Sequence, residues 1–208
     1  MNLPTLEYFF NIYIPLILSL SVHEWAHARM ALFLGDDTAK HLGRITLNPF
    51  AHIDPVGTVL LPLLGIPFGW AKPVPFDPIR FKRGVSMRTG GALVALAGPV
   101  SNMILCMIIY VGVSSVENTT EFEFSSSTLC EILVLFLRIN IILALFNLIP
   151  IPPLDGSHIL NLFIPLGFRP YWQAFLAKGQ ILLIVVFFMF GSVINEFVNL
   201  ILKSLGIN

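Results

Sequence analysis

The stretch Leu6–Leu34, LEYFFNIYIPLILSLSVHEWAHARMALFL, decides how the chain is read. It opens apolar and turns polar only at HEWAHAR, Val22 preceding the first histidine. At 1.5 Å per residue, a helix of this length exceeds a hydrocarbon core of roughly 30 Å. A His, Glu, His cluster inside such a helix is costly unless it is paired or bound to a metal, so by default it marks a functional site.

The rest of the chain has the same character. Of its 208 residues, 56% are hydrophobic and 12% charged, and mean hydropathy is +0.83. A soluble domain carries about 25% charged residues, so this composition calls for lipid as solvent. The expectation is an all-α integral membrane protein: a single domain over 1–208, built as a helical bundle of about five to six membrane segments. Zero net charge gives no case for nucleic acid. The first segment carries His and Glu and lacks a basic leader, so no cleavable signal peptide is expected.

Outward from Leu34, a polar stretch runs from Gly35 to Pro55. Within it Arg44–Leu47 alternates polar and apolar residues and predicts a short strand, a membrane-associated β element. Val56–Trp70 is apolar but broken by Pro62 and Pro67, which fits a re-entrant or tightly packed segment. Spanning helices are expected over Gly91–Val116, Thr128–Ile149 and Ile181–Leu202, with a short apolar stretch at Ile159–Phe168. The GALVALAG run at Gly91–Gly98 supplies small residues for close helix packing. Lys40, Arg44, Lys72, Arg80, Lys82, Arg83 and Arg88 all lie between the first two full spans, whereas Glu117–Ser127 holds three glutamates and no Lys or Arg. The positive-inside rule puts Gly35–Arg88 in the cytoplasm, and with it HEWAH and Asp155 toward the cytoplasmic side.

HEWAH is an HExxH pattern. Histidines four apart on a helix share a face, so His23 and His27 can bind one metal, and Glu24 can accept a proton from metal-bound water. A catalytic zinc site generally takes three protein ligands and leaves one position for water. Glu7 lies about 24 Å from His23 along the same helix. Glu131 falls near the outer face, and Asp36, Asp37, Asp54 and Asp77 sit in loops where a solvated carboxylate needs no special role. Asp155 is at the right depth, just after the proline-broken end of a helix, and geometry favours it as third ligand.

HEWAH, LNPFAHIDPVGT, GWAKPVP, ALAGPVSN and FNLIPIPPLDG, in this order over about Val22–Ile159, together resemble the site-2 protease family of intramembrane metalloproteases. The resemblance implies one Zn2+ held by His23, His27 and Asp155, Glu24 as catalytic base, and Asn147 positioning substrate or stabilising the oxyanion. It implies single-pass membrane proteins as substrates, and the cytoplasmic membrane of a bacterium or archaeon as location. Larger members have a helix before HEWAH and PDZ-like or CBS-like domains, none of which is found in this sequence. In such a protein a strand at Arg44–Leu47 would hold an unwound substrate by edge pairing.

Two other functions compete. A metal-ion transporter would need ligands spaced along a path between the faces, and here they gather at one depth. A binding-only relative would be expected to lose Glu24 or a ligand, and none is missing. Among the remaining polar residues, His41, His52 and His158 read as solvated or hydrogen-bonded. Arg138 reads as an ion-pair partner of Glu131 or, alternatively, as facing a polar cavity, Asn102 and Asn140 as interhelical hydrogen-bonders, and Cys106 and Cys130 as unpaired thiols.

Overall fold

A computed structural model describes residues 6–64, 70–117, 128–177 and 179–207. Most of the Glu117–Ser127 loop on which the orientation argument drew lies outside the described residues. Helix α1 covers Leu6–Leu34, α2 Thr38–His41, α3 Leu61–Leu63, α4 Met87–Glu117, α5 Thr128–Asn147, α6 Asp155–Leu160, α7 Arg169–Leu176 and α8 Gly179–Ser204. A wider π-type turn over Pro55–Leu60 leads into α3. The Ile159–Phe168 stretch is not one helix: it divides into the end of α6, a turn, and a 3-10 turn at Leu166–Phe168.

Helix α4 is the centre of the bundle, packing on α1, α5 and α6, while α5 also meets α1 and α8. Ala28 and Ala31 of α1 are fully buried, and Ala92, Val94 and Ala95 of α4 are buried, so small side chains let these two backbones approach. Ile109 and Val113, Leu137 and Ile141, and Val198 and Leu202 form the apolar core between α4, α5 and α8. The opposite face of α4 exposes Leu93, Leu96, Val100, Met103, Ile104 and Met107. An apolar stripe of this size on an outer face suits lipid. Among the described residues, Met87–Ser114 and Leu129–Asn147 are long and apolar enough to cross a membrane.

Three expectations need correction. No strand occurs among the described residues, and Arg44–Leu47 is a loop. The buried Arg44 guanidinium donates to the carbonyls of Lys72 and Pro73, and His52 Nε2 donates to the Thr46 carbonyl at 2.9 Å. Side chains thus satisfy backbone here that a ladder would otherwise have used. Arg138 does not pair with Glu131; it donates to Asn195 Oδ1 at 2.6 Å and Asn199 Oδ1 at 2.7 Å, both on α8. Asp36 is not solvated but 0% exposed. Its carboxylate accepts from the Thr38 N–H at 2.9 Å and the Asp77 N–H at 2.6 Å, tying the end of α1 to the loop before α4.

Beside it, Asp37 bonds His41 at 2.9 Å and Arg80 at 2.9 Å. These partners, His41 foremost, hold the Asp37 carboxyl below its usual value. Asp54 and Asp77 cap the turns that follow them by accepting from Val56 N and Ile79 N. The described parts of the connection between α1 and α4 are therefore tied down by carboxylate caps.

Candidate metal centre

Helix α1 carries His23 and His27 one turn apart on the face that meets α4. Asp155 is the first residue of α6, reached through the Pro150, Pro152 and Pro153 stretch after α5. A Cβ at Gly156 would run into the Leu148 and Ile149 carbonyls. Only glycine lets the chain double back so tightly there, and this reversal delivers Asp155 to α1.

Asp155 Oδ2 lies 3.2 Å from His23 Nε2 and 3.4 Å from His27 Nε2. The ligand-capable atoms of all three residues lie within 4.8 Å of one another. Among the described residues no other group of three metal-binding side chains gathers in this way.

The hydrogen bonds decide what this cluster can hold. His27 Nδ1 is 2.7 Å from the Val94 carbonyl, which can only accept, so Nδ1 carries a proton and, in the neutral imidazole, Nε2 keeps a lone pair. His23 Nδ1 is 2.6 Å from Asn102 Oδ1, with the same consequence. Asp155 Oδ2 is buried and has no hydrogen-bond partner. With both imidazoles neutral, three electron pairs converge here, an arrangement that suits a bound cation. Zinc bonded to N and O at about 2.0–2.2 Å in a tetrahedron sets its ligands about 3.3–3.6 Å apart, close to the two separations seen. The donor set fits zinc.

Glu24 sits next to His23, is 8% exposed, and accepts from the Val74 N–H at 2.9 Å. Val74 belongs to the GWAKPVP segment, which Lys72 N anchors to the His52 carbonyl at 2.9 Å. The proline-rich loop therefore serves as the wall that holds the Glu24 carboxylate.

Asn147 is the last residue of α5, and its amide donates to the Leu143 carbonyl at 2.9 Å. His41 lies exposed against Asp37, His52 is buried on Thr46, and the His158 ring packs 6.1 Å from that of Phe76. None of these three histidines belongs to the cluster.

Sequence reasoning passed over Gly98. A Cβ there would meet His27 Cε1 and Nε2 at 2.5 Å and His23 Cε1 at 2.6 Å, so α4 approaches the imidazoles only because this residue has no side chain. Its signals were the small-residue run ending at Gly98 and its place in ALAGPVSN. Gly98→Ala should push both rings from the positions their Nδ1 bonds define and weaken zinc binding by about 10–100-fold, the range seen when ligand orientation is lost. Chelator competition on purified protein measures this, with circular dichroism to show that the helices persist.

Peptidase family M50 matches residues 119–192, a stretch that includes Asp155 but not HEWAH. The Bacillus subtilis protein named "Putative zinc metalloprotease YwhC" is 41% identical over 179 residues, covering 84% of this chain and 78% of that protein. The Mycolicibacterium smegmatis protein named "Putative zinc metalloprotease Rip2" is 30% identical over 141 residues, 67% of this chain and 52% of the relative. Its Mycobacterium tuberculosis namesake is 27% identical over 164 residues, 79% and 60% respectively. The chain thus spans only half to three-fifths of the two Rip2 proteins. No solved structure matches it.

Proposed function

Because the chain belongs to peptidase family M50, we propose that it is a zinc metalloendopeptidase that hydrolyses peptide bonds in or near single transmembrane helices of its substrates. One observation carries the reading: two imidazole nitrogens and an orphaned carboxylate oxygen converge at 3.2 and 3.4 Å, beside a buried glutamate.

The proposed ligands are His23 Nε2, His27 Nε2 and Asp155, and zinc bound there supplies Lewis acidity to a water and to the scissile carbonyl. Glu24 is the proposed general base. Val74 N–H holds Oε2, so Oε1 is left to take the proton of the attacking water and pass it to the leaving nitrogen. Asn147 is proposed to orient the substrate backbone, on the strength of its place at the end of α5, eight residues before Asp155. For that role its amide has to release the Leu143 carbonyl.

The proposed location is the cytoplasmic membrane, with several crossings and the site toward the cytoplasm. The basic residues between α1 and α4 support that orientation. Beyond the two apolar helices among the described residues, α1 and α8 are proposed as further crossings on their length of 29 and 26 residues. The transporter reading gains nothing from the geometry, because the candidate ligands form one cluster rather than a path.

Zinc removal tests the proposal. Dialysis of the detergent-solubilised protein against a zinc chelator should abolish cleavage of a single-pass substrate helix, and one equivalent of zinc per chain should restore it. Cleavage that survives complete removal of the metal would sink the reading.

A further inference from the structure

His23 is the ligand whose orientation is fixed by side chains from two other helices. Its Nδ1 meets Asn102 Oδ1 on α4 at 2.6 Å. Asn102 Nδ2 donates to Asn140 Oδ1 on α5 at 2.9 Å and to the Ser19 carbonyl on α1 at 3.3 Å. Asn140 Nδ2 donates in turn to Ser19 Oγ and to the Phe136 carbonyl, both at 2.8 Å. Ser19 Oγ lies 2.7 Å from the Pro15 carbonyl. Ser19, Asn102 and Asn140 are all 0% exposed.

The direction of every bond in this chain follows from its far end. The Pro15 carbonyl can only accept, so the Ser19 hydroxyl donates to it and accepts from Asn140. With its amine so used, Asn140 presents its oxygen to Asn102. Asn102 therefore gives its amine to Asn140 and its oxygen to His23. His23 must then carry a proton on Nδ1, and of the two neutral tautomers only the one with a bare Nε2 toward Asp155 satisfies this bond. No solvent reaches these groups to offer another arrangement, and low polarity raises the penalty for breaking any one bond.

We infer that Asn102 is the positioning residue of the metal site: it selects the His23 tautomer and aims the ring, while Asn140 and Ser19 act through it by fixing the direction of its amide. The inference rests on the zinc reading above. It goes further than helix packing, because three helices that could be tied together by any buried polar bond are joined here by one whose polarity ends on a ligand. His27 has no such dependence, since a backbone carbonyl orients it.

The test is zinc affinity, measured by chelator competition in wild type, Asn102→Leu, Asn102→Asp and His23→Ala, without any substrate. Asn102→Leu removes the acceptor at similar volume and should weaken zinc binding by about 10–100-fold. Asn102→Asp keeps an oxygen against Nδ1 and should bind markedly better than Asn102→Leu. The visible absorption of the cobalt-loaded protein should change in Asn102→Leu and stay near wild type in Asn102→Asp, a signature that loss of packing alone would not produce.

Equal zinc affinity and equal cobalt spectra in wild type and Asn102→Leu would overturn the inference. If Asn102→Leu does not fold, Asn140→Leu decides, because it leaves Asn102 in place and removes the shorter of the two bonds that hold its amine, 2.9 Å to Asn140 against 3.3 Å to the Ser19 carbonyl. A smaller but measurable loss of affinity supports the inference there, and no loss overturns it. Failure of the underlying reading looks different: His23→Ala would then bind zinc as well as wild type.

Discussion

Glu24→Gln should lower cleavage by on the order of 10²–10⁴-fold, the contribution of a general acid–base group, and leave one zinc per chain. The replacement keeps the shape of the side chain and an oxygen for the Val74 N–H, so the wall built by the GWAKPVP segment has no reason to move. What is lost is a group that can carry a proton. Neither His23 nor His27 relies on Glu24 for orientation, since Asn102 and the Val94 carbonyl hold them. Steady-state cleavage with metal analysis of the same sample checks both halves. A variant that lost zinc in parallel with activity would show that Glu24 retains the metal instead.

Asp155→Ala should act one step earlier, removing zinc and cleavage together. It deletes one of three proposed ligands and leaves two neutral imidazoles one helical turn apart. The loss of zinc affinity should exceed about 100-fold, the upper end of what an orienting partner contributes. The protein should keep its helices, because Asp155 Oδ2 makes no hydrogen bond that the fold would miss. Helical content and zinc stoichiometry measured on one preparation separate this outcome from unfolding. Full zinc occupancy in Asp155→Ala would remove the residue from the ligand set.

These two residues also mark how far the sequence could be read. The histidine pair follows from spacing alone, because residues four apart must share a helix face. Asp155 follows by elimination, because depth and a proline-broken backbone exclude the other acids, and the fold does bring it to the two imidazoles. Helix positions were legible for the same kind of reason. Hydrophobic length locates α1, α4, α5 and α8, with ends displaced by a few residues where polar side chains continue a helix beyond its apolar run. At the start of α4, for example, Ser86 Oγ accepts from the Thr89 N–H at 3.0 Å, so the helix begins ahead of Gly91.

What could not be read depends on partners distant in sequence. The alternation at Arg44–Leu47 suggested a strand, but a strand needs a neighbour, and Lys72, Pro73 and His52 satisfy that segment otherwise. Arg138 was matched to Glu131 because both lie on one helix, whereas its acceptors come from α8, 57 and 61 residues on. Asp36 looks like any loop carboxylate until the Asp77 N–H, 41 residues away, closes over it. Asn102 was correctly expected to bond between helices, yet nothing in GPVSN says that its acceptor oxygen ends on His23. Local patterns determine which residue types share a face; which of them meet across the bundle is a property of packing.

The most direct test of the central claim places the zinc-loaded protein in liposomes with a single-pass substrate helix, and follows both cleavage and zinc in the vesicle lumen. The account expects the substrate to be cut within or beside its membrane segment while lumenal zinc stays constant. Zinc crossing the bilayer with the substrate intact would contradict it and assign the His23, His27 and Asp155 cluster to transport.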